Sequence, residues 1–431
     1  MSFATAIKAR LVAAHVSARR DRWRARRADW RRRLARKPRE VIYFHRVDDP
    51  VSQLMVQVLP ELADRFDVRI RPRVVERLPA QMYPDPARYE ALTIIDATRL
   101  AQLYGLGFPG HALVPDRLAV GMATRHLAAL ETDPAFFDVA QEVGGALWRQ
   151  DMAAVKALAV QADMAESRLR ENESLLRRLG HYQSGTLYHQ GVFYPGLDRL
   201  DHLERDLNWL GAGDGQVRFN QTRRWREKLE GSPRTFPGRT VELFFSPRSP
   251  YSYLGLEQIV EFAERTGVKL RLRPVLPMVM RGLKVPPLKA RYILMDAARE
   301  ARLEDIPFGR IVDPLGTATE RALSIGFKLM DTDEALPFFR RFMAAVWSEG
   351  VDGAEEKGMM KILRGAGLPE RYVRGGLPGD DWRALAAENQ SAMLRAGSWG
   401  VPTFRVDDRV FWGQDRLWAI LDHLDHSQKL S

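Results

Sequence analysis

The chain has 431 residues, too many for one ordinary hydrophobic core, and typical domain sizes predict two or three domains. Hydrophobic residues make up 45% and charged residues 28%, with no apolar run near the roughly 18 residues needed to cross a bilayer, which argues against a membrane-spanning role. There is no cysteine, so disulfides, thiolate metal sites, thiol nucleophiles and Cys-x-x-Cys redox chemistry are removed together.

The formal net charge of +11 is local. Residues 1–40 hold fourteen Lys or Arg against Asp21, Asp29 and Glu40, which accounts for the whole excess and argues against a specific nucleic-acid partner for the body. This leader, residues 1–39, has no Gly or Pro before Pro38 and is predicted as a basic helix. Trp23 and Trp30 share a face at seven-residue spacing, either packed on the body or in contact with an anionic surface through residues 1–38. No secretory apolar segment is present in it, and a cytoplasmic location is the default expectation.

After the leader come a short apolar strand (Val41 to Phe44), a Pro-marked helix start, a second strand (Val68 to Arg71) and a mostly helical stretch. A strand pair from Thr186 to Phe193 and a closing helix complete the unit. Gly105-Leu-Gly107-Phe-Pro-Gly110 spells a dinucleotide fingerprint, but it follows a predicted helix and contains Pro109, so nucleotide binding is not expected there. Residues 207–239, with the Gly211 to Gly215 run, Pro233 and Pro237, read as a linker.

From residue 240 the order repeats: strand (Val241 to Phe245), helix start, strand (Leu270 to Val275), helical stretch, strand pair (Thr403 to Phe411), closing helix. At a shift of 200 residues Asp49-Pro50-Val51-Ser52-Gln53-Leu54 lies over Ser249-Pro250-Tyr251-Ser252-Tyr253-Leu254. Asp96, Ala97, Arg99 and Ala101 meet Asp296, Ala297, Arg299 and Ala301 at the same shift. Later the shift is 217, so that Glu171-Asn172 meets Glu388-Asn389 and Gly196 meets Gly413. The expected fold is α/β: two tandem units at 40–206 and 240–425, each a mixed sheet with a helical insertion.

Three segments of the second copy carry the candidate chemistry. Ser249 suits a helix N-cap and Pro250 the first helical position, and such a corner concentrates partial positive charge and free N–H donors. A hydroxyl there either only caps the helix or also donates to a thiolate. Pro402, in Gly400-Val401-Pro402-Thr403-Phe404, is either an edge-strand proline or a cis residue opposite the corner. In Phe411-Trp412-Gly413-Gln414-Asp415-Arg416-Leu417, Asp415 is expected in the first turn of the closing helix, as a cap or paired with Arg416 to hold a small zwitterion.

These three blocks in this order resemble the 2-hydroxychromene-2-carboxylate isomerases and kappa-class glutathione transferases of the DsbA-like thioredoxin superfamily. The resemblance covers residues 240–425 and implies two DsbA-type thioredoxin-like domains in tandem. It implies glutathione as cofactor, with Ser249 steadying its thiolate, Val401 and Pro402 offering backbone, and Gln414, Asp415 and Arg416 gripping the γ-glutamyl end. A family lysine after the second strand is replaced by Arg281, and the Gly-Asn pair that follows it is missing around Gly282-Leu283-Lys284. The implied reaction is isomerisation or transfer on a small aromatic or unsaturated carboxylate. Arg281 or Lys284 would hold that carboxylate, with Tyr251 and Tyr253 as apolar walls or core. No metal is implied.

In the first copy Asp49 stands in place of Ser249, Gly185 in place of Pro402 and Pro195 in place of Trp412, so it is expected to keep the fold without the site. It would make the chain a monomeric pseudo-dimer, or one half of a homodimer. The alternative is a non-catalytic thioredoxin-fold binding or scaffold protein.

Overall fold

Apolar runs rich in Val, Phe and Tyr pack poorly inside helices and well on pleated surfaces, and they form the strands. The computed structural model describes residues 3–159, 165–373 and 381–430. The chain divides into two units, one from Arg22 to Arg223 and the other from Arg224 to Ser431 together with Met1–Asp21.

In the first of these, β1 (Glu40–His45), β2 (Arg69–Val74), β3 (Thr186–His189) and β4 (Val192–Pro195) form a sheet in the order β2-β1-β3-β4. Strands β1 and β2 are parallel, while β3 runs antiparallel to both β1 and β4. In the second unit β5 (Thr240–Phe245), β6 (Lys269–Pro274), β7 (Thr403–Val406) and β8 (Arg409–Trp412) repeat the same order and directions. The parallel β1/β2 and β5/β6 pairs each need a crossover, which the helices Pro50–Phe66 and Pro250–Thr266 supply. Further helices fill the stretch between β2 and β3, and between β6 and β7.

The central strand β5 is buried along nearly its whole length, as expected of a strand covered on both faces. Glu242 is the exception in its composition. It is 6% exposed and accepts from Arg273 through Nε at 2.9 Å and Nη2 at 2.7 Å, and from Arg405. Arg271 and Arg405 are its neighbours in register on β6 and β7, so one carboxylate ties the three strands together. Glu242→Gln is expected to lower stability by about 2 kcal/mol, since it leaves Arg273 short of its counter-charge while keeping one acceptor. Denaturant unfolding with an unchanged slope is the measurement.

The leader forms two helices rather than the single one expected, Phe3–His15 and Ala18–Leu34. The break falls at Ser17, whose hydroxyl donates to the Ala14 carbonyl at 2.9 Å and so offers the backbone an alternative to helix continuation. The first helix belongs to the unit of the C-terminal sheet: Ala9 and Val16 are buried, and Arg302 Nη1 donates to the Val16 carbonyl at 2.7 Å. On the second helix Trp23 and Trp30 are 59% and 61% exposed, so their stripe faces solvent and does not pack on the body.

Candidate active site

The corner after β5 is built by local sequence. Ser249 has extended backbone and caps the Pro250–Thr266 helix, its Oγ accepting from the Ser252 N–H at 3.1 Å, and Pro250 occupies the first helical position, where a missing N–H costs nothing. The approach is held from both sides. Ser252 Oγ accepts from the Ser246 N–H at 3.3 Å, and Trp347 Nε1 donates to the Pro247 carbonyl at 3.1 Å. Arg248 forks onto Asp313 at 2.8 and 2.9 Å. Ser249 is half-buried, and its hydroxyl hydrogen has no acceptor among the described residues. One lone pair therefore caps the helix while the proton remains free to point outward.

Val401-Pro402 is a cis peptide bond. Thr403 is the register partner of Phe244, so Pro402 lies beside the end of β5, at the same end of the sheet as the Ser249 corner. The Pro402 carbonyl accepts from the Gly413 N–H at 3.0 Å. Gly255, in the Pro250 helix, is closely packed: a Cβ there would meet Pro402 Cγ at 3.2 Å, a tight contact, and Gln414 Cβ at 3.5 Å. The absence of a side chain at 255 brings helix, cis-proline loop and the Gln414 turn together.

The closing helix begins at Leu417, so Asp415 precedes it instead of lying in its first turn. Gly413, at φ 116°, makes the turn, and a Cβ there would collide with Asp415 Oδ1 at 2.6 Å. Asp415 Oδ1 pairs with Arg416 Nη1 at 3.0 Å, which supports the reading of these two as a charge pair. Gln414 is buried, with Nε2 3.5 Å from Glu300 Oε2.

The two tyrosines separate. Tyr251 donates from its hydroxyl to Asp296 Oδ2 at 2.7 Å, and the other oxygen of this buried carboxylate takes Arg299 Nη2 at 2.5 Å. Tyr253 is 2% exposed and donates to the Pro307 carbonyl at 3.1 Å; burial pushes its phenol up to about 12. Its ring is core. Arg281 ends the short helical turn Met278–Arg281, and its Nε is buried without a hydrogen-bond partner among the described residues. Burial holds its guanidinium below the ordinary value. Lys284 lies in the exposed loop that follows.

One residue escaped the sequence reading. Lys289, in the first turn of the helix Pro287–Leu303, is buried and sits over the Trp399 ring, 5.4 Å from its centroid. Trp399 in turn lies 5.4 Å from Trp412. Burial pushes the Lys289 ammonium down to about 8. A cation in the first turn opposes the helix dipole, and that was the available signal. Lys289 and the two rings, which are tilted at 51° to each other, form a contact chain beside the Val401-Pro402 bond through Gly400, where a Cβ would meet Trp412 Nε1 at 2.8 Å.

In the other unit Asp49 caps the Pro50–Phe66 helix through the Val51 N–H at 3.1 Å. Its second oxygen accepts from Ser52 Oγ at 2.9 Å and Ser184 Oγ at 2.7 Å, and burial raises its carboxyl above the usual range. Gly185 closes over this carboxylate, its hypothetical Cβ 3.0 Å from Asp49 Oδ2. The Gly185 carbonyl accepts from the Gly196 N–H at 2.8 Å, the same kind of contact that Pro402 makes with Gly413. The corner is occupied by its own side chains and presents no free hydroxyl proton. Gly105 of the fingerprint-like run is the left-handed C-cap of the helix Pro86–Tyr104, which accounts for it structurally.

Residues 240–425 match the family model described as DSBA-like thioredoxin domain. A 2-hydroxychromene-2-carboxylate isomerase of Sphingobium xenophagum is 25% identical over 192 residues, which span 42% of this chain and 94% of that protein. Glutathione S-transferase kappa 1 of Rattus norvegicus is 25% identical over 198 residues, 42% of this chain and 88% of that protein. A solved structure of a 2-hydroxychromene-2-carboxylate isomerase aligns with a TM-score of 0.38 at 23% identity, covering 44% of this chain and 99% of that one.

Proposed function

We propose that the DSBA-like thioredoxin domain at 240–425 is a glutathione-dependent isomerase or transferase acting on a small aromatic or unsaturated carboxylate. The observation that carries this is the Ser249 hydroxyl: a half-buried donor at a helix N-terminus whose proton no described residue accepts. The names of the similar proteins, a carboxylate isomerase and a glutathione transferase, point to the same pair of ligands.

Bound glutathione would serve as co-substrate, its thiolate adding reversibly to a conjugated double bond so that the bond can rotate before the thiolate leaves again. The donor set fits that role. Ser249 donates to the sulfur while the helix end lowers the thiol pKa. Val401 and Pro402 present backbone beside the corner, and Gln414 with the Asp415 and Arg416 pair offers opposite charges for the ends of a zwitterion. The half-buried guanidinium of Arg281, with Lys284 in the following exposed loop, supplies positive charge for the substrate carboxylate. Lys289 completes the cationic side next to the Trp399 and Trp412 rings. Tyr251, held by Asp296, keeps the first turn of the Pro250 helix in place.

We read the two copies as one duplicated unit. In the first, Asp49 has replaced the donor with a buried carboxylate that would repel a thiolate.

Calorimetric titration tests this reading. Glutathione is expected to bind the intact protein at one site, with Asp415→Ala weakening binding about tenfold, the loss of a charge-assisted contact. No measurable binding to the intact chain would leave the scaffold reading in its place.

A further inference from the structure

We propose that a cavity in the Arg22–Arg223 unit binds a phosphate group. The cavity has a volume of about 420 Å³ and brings together Arg32 of the second leader helix, Lys37 and Arg39 of the connection to β1, Glu40 at the start of β1, and His189 and Gln190 at the β3–β4 turn. It lies at the opposite end of β1 from the Asp49 corner, so it is separate from the position matching the site in the other copy.

The charges around it are unevenly satisfied. Asp29 accepts from Arg32 Nε at 2.9 Å, Arg33 Nε at 2.7 Å and Arg39 Nη2 at 3.0 Å, one carboxylate shared by three guanidinium groups. Glu40 is taken by Arg71, whose Nε and Nη2 reach its Oε1 at 3.0 and 2.9 Å. Lys37 is exposed and has no carboxylate partner among the described residues. Arg39 is only 8% exposed, yet its Nε is buried with no hydrogen-bond partner among the described residues. Arg32, Arg33, Arg39, Arg71 and Lys37 stand against two carboxylates, Asp29 and Glu40, so the surroundings of the cavity carry an excess of positive charge that an anion would balance. Burial, with the positive charges of Arg39 and Arg32, holds His189 down to about 4, so at neutral pH it offers an uncharged imidazole for hydrogen bonding. An ammonium on a flexible stem, guanidinium groups anchored by Asp29 and an imidazole around one space surround it with positive charge and donors from several directions, as a tetrahedral dianion requires and a planar carboxylate does not.

The volume exceeds that of a bare phosphate and leaves room for the organic group that carries it. That carrier is a soluble ester or a phospholipid headgroup, and the experiment separates the two.

Isothermal titration of the full-length chain with inorganic phosphate, against chloride at matched ionic strength, is expected to show one saturable site. Lys37→Ala and Arg39→Gln should each weaken it at least tenfold. Arg39→Gln also takes a donor from Asp29, so its fold is checked by circular dichroism; Lys37→Ala alters an exposed side chain and keeps the test open if the other variant unfolds. Vesicles containing phosphatidic acid form the second arm. Vesicle binding weakened by Lys37→Ala as much as phosphate binding assigns the site to a lipid headgroup, whereas vesicle binding indifferent to Lys37→Ala beside sensitive phosphate binding assigns it to a soluble ester. No saturable phosphate binding to the intact chain, or phosphate binding unaltered in the folded variants, overturns the proposal.

Discussion

Ser249→Ala is expected to lower glutathione-dependent turnover about 10²-fold, the loss seen when one preorganised donor to a reacting anion is removed. The same change strips the helix cap, at a cost of about 1 kcal/mol in stability. Activity alone would therefore not distinguish a donor from a cap. Ser249→Asp separates the roles, because the Arg22–Arg223 unit has a carboxylate performing this kind of cap: Asp49 accepts the Val51 N–H at 3.1 Å at the head of the Pro50–Phe66 helix. Aspartate and serine are comparable N-caps, so Ser249→Asp should keep stability within about 0.5 kcal/mol of the parent. Its carboxylate repels a thiolate, so turnover should fall at least as far as in the alanine variant. The ultraviolet absorbance of the bound thiolate, followed against pH, should move to higher pH in Ser249→Ala. A Ser249→Asp protein with full activity would leave Ser249 as a cap and nothing more.

Acidification should destabilise the Arg22–Arg223 unit by about 4 kcal/mol between pH 7 and pH 5, through two buried histidines. Burial pushes His45 down to about 3, and burial with Arg39 pushes His189 down to about 4. Above the ordinary histidine value of 6.5 both are neutral whether the chain is folded or not, and they have no effect on stability. As pH falls below 6.5 the unfolded chain binds protons that the folded chain refuses, so stability is lost progressively until the folded values are reached. At pH 5 each histidine costs about 2 kcal/mol. Asp49 and Glu131 act the other way, since burial holds both carboxyls above the usual range and protonation relieves them.

A single substitution isolates the His45 part. The Tyr43 hydroxyl donates to the Ser52 carbonyl at 3.1 Å, so the contact of 3.1 Å between Tyr43 and His45 Nδ1 must have the histidine as donor. This leaves Nε2 as a bare acceptor, buried without a partner. At the 200-residue shift its counterpart is Phe245, which packs edge-on against Phe339 at 4.9 Å. His45→Phe should remove about 2 kcal/mol of the loss between pH 7 and pH 5 and gain stability at neutral pH by eliminating the orphaned acceptor. Urea unfolding at the two pH values measures both; an unchanged pH dependence would show that His45 titrates normally.

Much of the site's frame was legible because it is written in neighbouring residues. Ser249 followed by Pro250 specifies a cap and a first turn within two positions, and the helix begins there. The Gly105 run was set aside as a fingerprint because it follows a helix and contains Pro109, and the structure places Gly105 as that helix's left-handed C-cap. The conformation of Pro402 was not legible, because an edge strand and a cis bond make the same local demand on sequence. The start of the closing helix was misplaced by a few residues, since the turn at Gly413 depends on room beside Asp415 that no local pattern encodes. Lys289 left one local trace, a cation in the first turn of its helix, but its burial against a tryptophan ring 110 positions away is a tertiary fact.

The sequence by itself determined the strand and helix order within the 40–206 and 240–425 segments, the absence of any cysteine thiol in the chain and the concentration of positive charge before residue 40, since each depends on residue type and short-range spacing. Tertiary structure decided which polar groups are left without partners. The free proton of Ser249, the unmet Nε of Arg281 and that of Arg39 follow from burial and from what packs alongside, sums over distant segments that no window of sequence contains. The two units show this most plainly. The same cap position holds a serine with a proton to give in one and a carboxylate closed in by Ser184 and Gly185 in the other, and packing around that position decides whether the corner is open to a ligand.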